Sequence, residues 1–163
     1  MVSWEQAAAA KRSAPLELIP EKWRLESIPS AEEQRDATQY ICQFVGPRET
    51  EIIEADAPDI ASYIASGEWT ALEVTETFCH RASLAHQMVN CLHEIFFDDA
   101  IASARALDSY YGKHKRTIGP LRGVPISLKD QFHVKQPTTL FSIHGTLKIG
   151  FSVLGEAHVA EER

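Results

Sequence analysis

Apolar positions recur at helical spacing through much of this chain, and capping and stop residues divide them into elements. Leu72, Thr75, Phe78, Cys79, Ala82, Ala85 and Met88 fall on one stripe, which predicts a long helix with one buried face. Thr70-Ala71-Leu72-Glu73 at its head has the capping-box pattern, a hydroxyl followed three residues later by a carboxylate. Upstream, Asp56-Ala57-Pro58 joins a capping Asp to a proline in the first turn; Ile60, Tyr63 and Ile64 carry the stripe and Gly67 closes it. Residues 91–97, CLHEIFF, read as a strand. Asp98 or Asp99 then caps a helix through Ala100, Ala104, Leu107 and Tyr111, with Gly112 as its end. The apolar run 124–128 reads as a second short strand.

Nearer the N-terminus, residues 4–18 predict a first helix capped by Ser3, with Pro15 close to its end. Residues 19–23 look extended. Ser30-Ala31-Glu32-Glu33 is a second start signal, and Val45-Gly46-Pro47 a stop. Helices alternating with strands in this order predict an α/β arrangement. Three regions are expected: an N-terminal helical arm over 1–55, a main unit over 56–135, and a tail over 136–163 without a convincing amphipathic element.

Composition narrows the function. With 163 residues the chain suits one domain with a real core. A net charge of −7 argues against a nucleic-acid or anionic-membrane surface, both of which need clustered Lys and Arg. The basic cluster Lys113-His114-Lys115-Arg116 sits where a helix should end and complements its dipole. Cys42, Cys79 and Cys91 have no paired spacing, which fits reduced thiols and a cytoplasmic location. No signal peptide or membrane span is evident.

Several chemistries fail at one position. There is no G-x-x-x-x-G-K-[ST] loop for phosphate. His93-Glu94 starts like a zinc-protease helix, but Phe97 stands where the second His belongs. Gly150-Phe151-Ser152-Val153-Leu154 departs from a nucleophile elbow at Leu154. The histidines lack ligand spacing to Cys or carboxylate pairs, so no metal or other cofactor is expected.

The stretch GPLRGVPISLKDQFHVK, residues 119–135, ends an apolar run on Lys129. Its pattern has two readings. Lys129-Asp130 is a solvated strand end, of the kind lysines commonly mark. Alternatively, an apolar strand delivers Lys129 into a closed site, where lost hydration favours the neutral amine and makes it a general base toward a serine hydroxyl.

GPLRGVPISLKDQF closely resembles the lysine-bearing segment of the amidase signature family, approximately G-P-L-x-G-[VL]-P-[IF]-[SL]-[LV]-K-D. Residues 61–115, with SGEWTALEVTETFCHRA and VNCLHEIFFDDAIASARALDSYY, resemble fungal acetamidase-type members, as do SWEQAAAAKR and IPEKWRL. The resemblance spans about residues 3–135. It implies N-terminal helices and the first strands of a mixed sheet, and a Ser–cis-Ser–Lys hydrolysis of carboxylic amides. Lys129 then matches the catalytic lysine, the general base, and Asp130 a supporting residue. A small amide substrate is implied, with association through N-terminal helices as a possible homo-oligomer.

The family's Gly/Ser-rich block, which supplies the bridging serine ahead of the nucleophile, has no counterpart here; Ser142 and Ser152 lack flanking glycine pairs. The expectation is therefore an amidase N-terminal portion joined to a divergent tail, through a frameshift, a retained intron or a gene-model error, and inactive alone. The alternative is a non-catalytic truncated paralogue acting as an interaction or regulatory partner. A new serine site in the tail is disfavoured, since it has neither elbow nor glycine loop.

Overall fold

The computed structural model describes residues 2–129 and 147–149, which are mostly helical. Helix α1, Trp4–Glu17, starts at the expected cap: Ser3 Oγ accepts the Gln6 amide at 3.3 Å, and Gln6 Oε1 accepts the Ser3 amide at 3.0 Å. Pro15 lies in its last turn and is buried. The segment expected to be extended instead closes a 3-10 turn at Glu21–Trp23, which lowers Trp23 into the core.

The start signal at Ser30 forms its hydrogen bonds without a helix. Ser30 Oγ accepts the Glu33 amide and Glu33 Oε2 accepts the Ser30 amide, but residues 31–35 have no apolar stripe to bury and only a turn results. Helix α2, Ala37–Cys42, begins later, where Asp36 Oδ1 accepts the Gln39 amide at 2.9 Å. The stop at Val45-Gly46-Pro47 is also a start: α3, Pro47–Glu54, opens on the proline, whose missing N–H needs no partner there.

Helix α4, Ala57–Ser66, runs from Asp56 to Gly67 as expected, with Gly67 left-handed at φ 80°. Helix α5, Ala71–Val89, is capped by Thr70 Oγ1, which accepts the Glu73 amide at 3.0 Å. Strand β1 is shorter than expected, Leu92–Ile95. Helix α6, Phe97–His114, carries Asp98 and Asp99 in its first turn rather than as caps, and continues through Gly112 to a left-handed Lys115. Open space around Gly112 lets the helix pass, at the modest cost of a helical glycine.

The buried face expected for α5 is broader than the predicted stripe and meets two core clusters. Cys79 and Ala82 pack with Ile19, Trp23, Leu92 and Phe97. Val74 packs with Ile52, Ile64, Trp69 and Val124, and Phe78 lies against both clusters. Sequence spacing understates this burial because Val74, Thr77, Ser83 and His86, off the predicted stripe, are buried too.

The helices are also tied by polar side chains. Asp108 of α6 accepts the Ala71 amide at 2.8 Å and the Leu72 amide at 3.0 Å, adding a second cap to α5. Gln87 of α5 accepts the Leu25 amide at 2.8 Å and donates to the Trp23 carbonyl at 2.9 Å, fixing the turn after α1.

The predicted strand 124–128 is corrected as well. Val124 donates to the Leu121 carbonyl in a turn and its side chain belongs to the second core, so ladder pairing starts only at β2, Leu128–Lys129. Strand β3, Leu147–Ile149, lies between its neighbours, antiparallel to β2 and parallel to β1.

Candidate functional site

The lysine segment is positioned from its upstream end. Gly123 has φ +92°, and a Cβ there would come within 2.9 Å of Ile64 Cδ1 and 3.1 Å of the Ala71 Cβ. Only glycine accommodates both the backbone and this approach to α4 and α5. Gly119 is different, since a Cβ there meets nothing closer than 3.8 Å. Next, Val124 anchors in the second core at 7% exposure. The chain then runs through Pro125 and Ser127 into β2, where Lys129 pairs with Leu147 and Leu128 with Lys148.

Pro125 and Ser127 form one wall of a groove of about 440 Å³, whose other walls come from α2 and α5, including Ile41, Phe78 and Ala85. Arg81 also lines it, and its Nη1 is buried without a hydrogen-bond partner. Thus Lys129 stands two residues beyond a mostly apolar groove. Asp130, Ser142 and Ser152 lie outside the described residues.

Other chemically able groups are occupied structurally. Ser83 Oγ donates back to the Cys79 carbonyl at 2.8 Å, so this buried hydroxyl is committed to its own helix. Cys79 is fully buried and desolvation pushes its thiol far above the ordinary range, which makes it unreactive. His86 is 1% exposed, and its Nδ1 accepts the Leu92 amide at 3.0 Å, which fixes the proton on Nε2. Burial lowers its pKa. His80 stacks on Trp23 and meets Glu49 Oε1 at 2.8 Å, bracing α5 against α3. Among the described residues no group of three or more His, Cys, Asp or Glu is placed to hold a metal, and no helix is long and apolar enough to cross a membrane.

Sequence reasoning singled out Lys129 and gave no sign of the groove, Arg81 or the Asp108 cap. Asp108 lies 36 and 37 residues from the amides it caps, so no local pattern could reveal it. Arg81, too, looks like any polar helix residue until the segment before β2 folds beside it.

Comparison with known proteins agrees with the lysine segment. The family model described as "Amidase" matches residues 73–146. The chain is 47% identical over 133 residues to an acetamidase of Emericella nidulans, covering 82% of this chain and 24% of that protein. It is 42% identical over 137 residues to an acetamidase of Aspergillus oryzae, covering 84% of this chain and 25% of that protein. Among solved structures, a fatty acid amide hydrolase superposes with a TM-score of 0.67 at 32% identity, over 76% of this chain and 23% of that one. The chain therefore spans about a quarter of the length of these curated relatives.

Proposed function

Because this chain belongs to the amidase family, we propose that it forms the N-terminal, lysine-bearing part of an amide hydrolase, with Lys129 as general base. The observation that carries this reading is the segment GPLRGVPISLKD, held by Gly123 and Val124 so that Lys129 enters a strand beside an apolar groove. On this reading β1 and β2 are among the first strands of the family's mixed sheet, in an α/β fold of which this span is one part.

In the mechanism that the family resemblance implies, the neutral amine of Lys129 takes a proton from a bridging serine. That serine in turn deprotonates the nucleophilic serine, which attacks the amide carbonyl. Backbone N–H groups of a glycine-rich loop hold the oxyanion. The amine then leaves, and water releases the acyl group. This sequence supplies the lysine and no Gly/Ser-rich block, so the span alone lacks a nucleophile for Lys129 to activate. Small aliphatic amides are the substrate class favoured by the acetamidase resemblance.

Two assays test this. The purified chain should turn over no acetamide; hydrolysis that disappears on Lys129→Ala would show a complete site and refute the claim of inactivity. A chimera with residues 3–135 in place of the matching stretch of the Emericella nidulans acetamidase should hydrolyse acetamide. Lys129→Ala in that chimera should lower kcat by about 10²- to 10⁴-fold. Unchanged turnover would remove Lys129 from the mechanism.

A further inference from the structure

A small cavity lies where α4, α5 and α6 meet the stretch leading into Gly123, apart from the groove beside Lys129. Its volume is about 110 Å³, and Ile64, Leu107, Tyr111 and Ile118 give it mainly apolar walls. Trp69 and Arg122 also line it. Trp69 is 2% exposed, and its indole Nε1 is buried with no hydrogen-bond partner among the described residues. A buried N–H left unsatisfied is unfavourable, so this donor calls for an acceptor. Arg122 forms no ion pair among the described residues.

Charge and size decide which acceptor suits. Asp108 lines the cavity too, but both of its oxygens accept amides of α5, and the positive end of that helix offsets its charge. The Arg122 guanidinium is therefore the charge left to a ligand. It favours an anion whose planar head can take paired hydrogen bonds. An apolar cavity of about 150 Å³ holds benzene, so this smaller one has room for a tail of about three carbons.

We infer that this cavity binds a short-chain monocarboxylate, with the alkyl tail between Ile64, Leu107 and Ile118 and the carboxylate held by Arg122 and the Trp69 indole N–H. Bound there, the ligand joins α6 to residues 117–122, immediately ahead of the glycine that positions the lysine segment. The inference rests on the cavity and its two donors and is independent of the role given to Lys129.

Titration of the full chain with butyrate near neutral pH tests it, read from the assigned indole N–H resonances of the three tryptophans. Far-UV circular dichroism verifies folding. The Trp69 resonance should shift saturably, with half-saturation at about 1 mM for so small a ligand, while those of Trp4 and Trp23 stay in place. Arg122→Gln should weaken binding by at least about tenfold, since a charge-assisted hydrogen bond is lost. Butyramide, which keeps the tail and lacks the charge, should also bind at least about tenfold more weakly. That comparison needs no variant, so the test stands should Arg122→Gln fail to fold. The absence of a saturable shift at Trp69 would overturn the inference. So would butyramide binding as tightly as butyrate, or an affinity unchanged in folded Arg122→Gln.

Discussion

Asp108 on α6 accepts the Ala71 amide at 2.8 Å, so one helix supplies the N-terminal cap of another. The same carboxylate takes the Leu72 amide, while Thr70 serves the Glu73 amide; three of the four orphan donors of α5 are thus satisfied, two of them from a distant element. Asp108→Ala should destabilise the chain by about 1–3 kcal/mol, because two part-buried amides lose an ionised acceptor. Urea midpoints would measure this. Thr70→Ala should cost less, about 1 kcal/mol.

The glycines should separate cleanly. Gly123→Ala should destabilise by about 1–3 kcal/mol, since its φ of +92° and the 2.9 Å approach to Ile64 are both unfavourable for a side chain. Gly112→Ala lies inside α6 with open space around it and should stabilise by about 0.5–1 kcal/mol. Equal urea midpoints for the two variants would contradict this account of the lysine segment.

The buried imidazole of His86 should make stability fall in mild acid. Burial lowers its folded pKa from the ordinary 6.5, so above that pH both states hold it neutral and no penalty arises. Below pH 6.5 the unfolded chain takes up a proton that the folded chain refuses, and stability falls until the folded pKa is reached. One proton sets a limit of about 1.4 kcal/mol per pH unit. His86→Gln, which can still accept the Leu92 amide, should flatten this part of the profile. Identical slopes for the two proteins below pH 6.5 would rule His86 out.

Thiol labelling should be ordered. Cys42 is exposed and should react with a thiol reagent in the native chain. Cys79 is fully buried, with its thiolate strongly disfavoured by desolvation, and should react only on unfolding. Mass spectrometry after brief iodoacetamide treatment reads this directly. Early modification of Cys79 would mean that the first core opens locally.

Local chemistry made the helices legible. Ser3, Asp56 and Thr70 each cap the helix that their patterns announce, because a cap is a contact over three residues. Ser30 shows the limit: its capping bonds form, yet no apolar stripe follows to make a helix worthwhile. The same limit hid the full breadth of the buried face of α5, since its width depends on which distant helices arrive. Lys129 was legible through the motif around it, whereas the groove beside it joins residues from α2, α5 and the segment before β2 that no spacing rule connects.

Among the described residues Val124 is the last along the chain to enter either core, and it precedes Lys129 by only five positions. During synthesis, α3, α4 and α5 can gather around Val74 while one place in their cluster remains open. That place is filled only when the lysine segment emerges. The event that completes the second core is thus the event that sets the position of the lysine, so closure of the core and registration of the strand are timed together.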